Sequence, residues 1–138
     1  MLKKALTIVC CALVISFAWV ISSQAVFSSF SSKTEVYQRK NSSCADVTSI
    51  SNEQLPLSFY RYGEAVTFDG KNFRLEEILD AFNASLKFTE QTEFGVSYYA
   101  YSKDLKYSCL VKGEKINLHV FINQDSVKLG SPILFGSY

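Results

Sequence analysis

Apolar and polar residues alternate most regularly at the end of this chain. Between Lys115 and Tyr138, Ile116, Leu118, Val120 and Ile122 fall on one face of an extended segment, and Asn117, His119 and Phe121 on the other. Asn123-Gln124-Asp125 reads as a polar turn, after which Val127, Leu129, Ile133 and Phe135 mark a returning strand. Pro132 has no N–H to give to a ladder, so this last strand is expected at a sheet edge or bulged at Gly130.

The period of two also runs upstream. "LSFYRY" (57–62) and "EAVTF" (64–68) predict a first strand, bent near Gly63. "LKFTEQTE" (86–93) and "FGVSYYAYS" (94–102) predict two more, close enough in sequence to form an antiparallel hairpin. Between these groups the period changes: Leu75, Ile78, Leu79 and Phe82 recur at helical spacing, with Asn72 placed to cap and Glu76 and Glu77 near the positive end of the helix dipole. The segment 103–113 shows no period. A strand, a helix and an antiparallel meander imply an α+β fold, with one helix packed on a curved antiparallel sheet of about five strands.

Residues 1–25 read as an address. Lys3 and Lys4 precede 17 uncharged residues, Ala5 to Ile21, and Ser23-Gln24-Ala25 is a small-x-small cleavage pattern, so a secretory signal peptide ending before Val26 is expected. Left uncleaved, residues 5–21 would act as a membrane anchor. Either outcome places the protein outside the cytoplasm. Residues 26–54 are rich in Ser with scattered charge and little period, and predict a tether, although Glu35-Val36-Tyr37 could pair as a short edge strand. The folded domain is then expected over 55–138.

Removing Lys3 and Lys4 from 14 basic residues leaves 12, against 13 acidic ones. A mature chain without a basic excess releases few phosphate counterions, which argues against a nucleic-acid partner. Of four cysteines only Cys44 and Cys109 lie beyond the leader. Export permits a disulfide between them, and two separate thiols are the alternative.

The closing stretch "EKINLHVFINQDSVKLGSPILFGSY" resembles the C-terminal signature of the YwmB family, exported proteins of spore-forming Firmicutes, at Lys115, Asn117, Leu118, Gly130, Pro132, Ile133 and Tyr138. "ILDAFNASLKFTEQTEFGVSYYAYS" looks like the helix and two strands that precede it there. The resemblance spans about 57–138 and implies a fold like half of the TATA-box-binding protein, an envelope location and a setting near sporulation. It implies no particular activity, and DNA binding does not follow from a fold name. Family members usually carry two such repeats and this chain has room for one, so a homodimer that covers the missing repeat's edge is a further expectation.

Candidate chemistry is sparse. His119 is the lone histidine, in mid-strand without a second His or Cys at ligand spacing, and reads as a surface or sheet-face residue. No serine lies in a nucleophile motif, the six glycines form no phosphate loop, and neither a catalytic residue nor a metal or cofactor is expected. The more suggestive feature is aromatic. Tyr99 and Tyr101, opposite in parity to Tyr98, join Asn117, His119 and Phe121 on the face away from the helix. Such a surface suits an envelope protein or glycan, though the same residues also suit a half-exposed strand. The reading is a non-enzymatic interaction or structural module, with a small extracytoplasmic hydrolase or carbohydrate-binding protein as the alternative.

Overall fold

Alternating segments joined by short polar turns have no room to connect except as antiparallel hairpins. The computed structural model describes residues 2–22, 26–27, 29–30, 33–41, 44–51, 62–70 and 73–134. In it β4 (Ala84–Thr92) and β5 (Gly95–Ser102), numbered in chain order, meet across Glu93-Phe94. β8 (Leu118–Ile122) and β9 (Ser126–Ser131) meet across the expected tip. There Asn123 Oδ1 accepts the backbone N–H groups of Asp125 at 3.0 Å and Ser126 at 2.7 Å. The end of the unpatterned segment supplies β6 (Cys109–Val111), which forms a small hairpin with β7 (Glu114–Ile116), so Ile116 belongs to this hairpin and not to the strand of Leu118. Its turn is Lys112-Gly113, with φ of 52° and 82°, both in the left-handed region a primed two-residue turn requires.

β3 (Gly63–Asp69) pairs with β9, Val66 opposite Leu129 and Ala65 opposite Gly130. This corrects the expectation for the last strand: β9 lies between β3 and β8 and is not an edge. Pro132 falls just past Ser131, where its missing N–H takes nothing from the ladder. Residues 57–61 of the expected first strand lie outside the described residues.

The largest correction concerns the tether. Within 26–54, β1 (Lys33–Asn41) and β2 (Cys44–Ser51) form a hairpin, and β1 pairs with β3, Glu35 opposite Ala65 and Tyr37 opposite Gly63. The sheet therefore has seven strands in the order β2-β1-β3-β9-β8-β5-β4, with β6-β7 separate. Polar composition suggested a spacer, but Phe27, Val36 and Tyr37 are buried, and a few apolar anchors at the right parity suffice to hold a strand against a waiting edge. The outer edge of β3 is thereby covered within one chain.

One face of the sheet carries α2 (Leu75–Ala81). Ile78 is buried and Leu75, Leu79 and Phe82 pack beside it, as the helical spacing predicts. The helix is shorter than its pattern. Arg74 occupies the N-cap without a side-chain hydrogen bond, while Asn72, expected to cap, lies outside the described residues; the bonds Phe82 N–H to Ile78 O and Asn83 N–H to Asp80 O close its other end. Val66, Ala100, Leu118, Val120, Val127 and Leu129 form the core beneath it, together with Phe27. Phe27 meets Phe82 edge to face at 5.5 Å, while Phe30 stacks on Phe68 and Phe82 at 5.7 and 5.8 Å.

β4 contains a bulge that changes which side chains share a face. Leu86 is opposite Ala100 but Phe88 is opposite Tyr99, so Lys87 is an extra residue and Leu86 and Phe88, expected together, are on opposite faces. At the N-terminus α1 (Leu2–Ser22) takes in the uncharged run Ala5 to Ile21. Its described side chains, Lys4 to Ala18, are exposed, and both apolar clusters are built from Phe27 onward. Among the described residues no helix is long and apolar enough to cross a membrane.

Candidate functional site

The residues singled out on the second face of the sheet are brought together by register. Ala65, Gly130, His119, Tyr99 and Phe88 are partners strand by strand from β3 to β4, so they form one row across the sheet. The rings stack in that order: His119 on Tyr99 at 4.3 Å, and Tyr99 on Phe88 at 4.4 Å. At the other end of the row, Gly130 has no side chain, and the chain beyond β9 folds back onto it. A Cβ there would lie 2.6 Å from Leu134 Cδ2 and 2.9 Å from the Leu134 nitrogen. The Leu134 N–H donates to His119 Nδ1 at 3.2 Å.

This overturns the reading of an open aromatic face. Tyr99, His119 and Phe121 are buried, and Phe121 clusters with Tyr37, Ala65 and Leu134. His119 is wholly buried, not a surface histidine. Burial holds its pKa down to about 4, against the pull of the Glu90 carboxylate, which favours the charged ring. Its Nδ1, used as an acceptor, is unprotonated, so the ring is neutral at physiological pH with its proton on Nε2.

The β4 side of the row is roofed by the β6-β7 turn. Lys112 pairs with Glu90 and sits over the Phe88 ring, its Nζ 5.8 Å from the centroid. The Tyr99 hydroxyl donates to Glu90 Oε2 at 2.9 Å. Lys112 and then Tyr99 hold the Glu90 carboxyl below its ordinary value. Glu90 and Lys112 are the polar residues that the sequence reading missed. The two-residue turn at Lys112-Gly113 was the available signal, since a hairpin so tight folds back on whatever precedes it.

Asn117 and Tyr101 stand apart. Asn117, also buried, accepts the Ser102 N–H through Oδ1 at 2.7 Å and donates through Nδ2 to Ser102 O at 2.5 Å and Leu105 O at 3.2 Å. It thus latches the end of β5 to the start of β8, and its burial keeps it from a ligand at the surface. Tyr101 is half-buried beneath Lys115, whose Nζ lies 5.3 Å from its ring. Of the remaining family-like positions, Leu118 is core, Gly130 lies under Leu134, Pro132 is buried, Ile133 is half-buried, and Tyr138 is outside the described residues. Cys109 is a free thiol whose pKa burial raises; the side chain of Cys44, its expected partner, lies outside the described residues. No group of three His, Cys, Asp or Glu able to hold a metal occurs among the described residues.

Accessible space lies instead on the helix side. A cleft of about 460 Å3 opens between α2, the end of β3 and the Phe30 turn. Phe30, Phe68 and Phe73 supply apolar wall, and Asp69, Arg74 and Glu77 supply charge, with Arg74 Nε 4.0 Å from Glu77 Oε1. An apolar wall beside mixed charge can bind a side chain or ring by burial, and the described lining residues include no nucleophile paired with a base. No protein-family model, characterised protein or solved structure matches this chain.

Proposed function

We propose that the protein is exported and serves as a non-enzymatic interaction or structural module of the cell envelope, built as a single YwmB-like unit. The observation that carries this reading is the contrast between α1 and the rest. Leu6, Ile8, Val9, Leu13, Val14, Ile15 and Phe17 are each at least 54% exposed on a helix that neither apolar cluster includes. A folded protein in water does not keep such a helix uncovered. With Lys3 and Lys4 in its first turn and Ser23-Gln24-Ala25 after it, it fits a segment handed to an export machine.

The interaction role is supported by how the polar residues are used. His119, Asn117 and Glu90 are engaged by neighbours within the fold, whereas the cleft at Phe30, Phe68, Phe73 and Arg74 offers room for a partner. It would take an apolar side chain or ring from an envelope protein or glycan. Fractionation of cells expressing the tagged full chain tests the export reading: the tag is expected in the envelope or medium at the mass of 26–138. Retention of the whole chain in the cytoplasm contradicts it. Capture of envelope material that is lost on Phe73→Ala or Arg74→Ala supports the cleft, and capture unchanged by both variants removes it.

A further inference from the structure

Val26, the residue after the expected cleavage pattern, is also the first described residue after α1. Its backbone N–H donates to Glu64 Oε2 at 2.7 Å. The contact is held from both sides. Phe27 is wholly buried, the Phe30 N–H donates to Phe27 O at 3.0 Å to close a turn, and the rings of Phe27 and Phe30 are packed on Phe82 and Phe68. Glu64 is only 5% exposed, in β3, with Val36 and Ser131 as its register partners on either side. A charged donor at hydrogen-bond distance from a buried carboxylate makes a stronger bond than a neutral amide at the same place.

We propose that removal of the leader at the Ala25–Val26 bond creates an α-ammonium on Val26 that Glu64 receives as an ion pair, so that processing locks the N-terminal segment onto the sheet. The proposal rests on the export reading for the cut itself, made by an endopeptidase of the export pathway. In the hydrolysis the C–N bond breaks, the hydroxyl of water goes to the Ala25 carbonyl, and its hydrogen goes to the Val26 nitrogen. The new Ala25 carboxyl loses a proton, and the Val26 amine, with an ordinary pKa near ~8, gains one at neutral pH. The nitrogen need not move, since 2.7 Å already suits a charge-assisted N–H to carboxylate bond. The processed chain keeps every residue of both apolar clusters.

The test compares chain 26–138 with a free Val26 amine against the same chain N-acetylated at Val26, by thermal unfolding at neutral pH. The acetyl cap restores an amide and removes the charge without altering any side chain. The free-amine form is expected to melt about 4–8 °C higher, the shift that one charge-assisted pair gives in a domain of this size. Glu64→Gln is expected to bring the two midpoints together. Equal midpoints for the free and acetylated forms, or a difference that survives Glu64→Gln, overturns the ion pair. The mass of the protein exported from cells reports separately on the cut. A chain beginning at Val26 supports it, whereas a retained leader or a cut at any other bond overturns this proposal while leaving export standing; only retention of the whole chain in the cytoplasm overturns the export reading.

Discussion

The two faces of the seven-stranded sheet are buried by different means. On the helix side, aliphatic side chains from β3, β5, β8 and β9 pack beneath α2 and the Phe27 turn. On the other side a single row of rings, Phe88, Tyr99 and His119, is closed by Leu134 at one end and by Lys112 at the other. The first face depends on apolar area and tolerates little loss of volume. The second depends on geometry: one glycine, one backbone N–H and one neutral imidazole. Burial alone therefore does not reveal what a residue contributes, and substitutions on the two faces are expected to fail differently.

The largest effect is expected on the helix side. Leu129→Ala empties a site that is wholly buried and is expected to cost about 2–5 kcal/mol in chemical denaturation, at unchanged sheet content. A loss below about 1 kcal/mol would mean that the α2 face is loosely packed and that the two faces differ less than described.

The second face is expected to respond to acid. His119 has its pKa depressed in the folded state, from 6.5 to about 4. The unfolded chain therefore binds a proton first, and stability present above about pH 6.5 is lost as the pH falls toward 4, by about 3 kcal/mol over that window. Denaturation midpoints measured from pH 7 to pH 4 check this. His119→Gln removes that part of the slope, leaving the acid loss due to carboxylates, among them Glu90, whose depressed value places its contribution lower still. The variant itself is expected to destabilise at pH 7, since the wholly buried ring and its bond to Leu134 are lost.

A smaller effect of the same kind is expected from Gly130→Ala. The new methyl meets Leu134 and must push the C-terminal segment off the row, at a cost of about 1–3 kcal/mol. Faster hydrogen exchange at the Leu134 amide, with unchanged exchange in Leu118 and Val120, would show that one face opened and the other did not. The smallest effect is expected at the exposed roof. Lys112 is 67% exposed, and Lys112→Ala is expected to change stability by less than about 1 kcal/mol, with any change screened by salt.

The same contrast explains what could be read from the sequence. The helix-side face was legible because Leu118, Val120, Val127 and Leu129 follow a strict period of two and Leu75, Ile78 and Leu79 a helical one. Parity also placed Tyr99, His119 and Phe121 on a common face correctly. It could not show that this face is closed, because the covering residue lies 15 positions along the chain from His119 and reaches it only because Gly130 is bare. Phe88 joined the row through a bulge that no periodicity predicts. The Ser-rich segment misled for a related reason. Phe27, Phe30, Val36 and Tyr37 are few, but each meets a complementary site, the first two around Phe82 and the last two against β3. Asn117 looked like a ligand-binding residue because a buried amide with three internal bonds cannot be told from an exposed one by composition.

The central claim, that the second face is a closed layer around a neutral imidazole, can be tested on one signal. His119 is the only histidine, so its ring resonances need no assignment by mutation. An NMR titration of the ring carbons and nitrogens is expected to show no protonation between pH 8 and pH 5, Nδ1 unprotonated throughout, and a midpoint at about 4 or loss of the fold before it is reached. A freely titrating ring with a midpoint near 6.5 would contradict the account and return His119 to an open face.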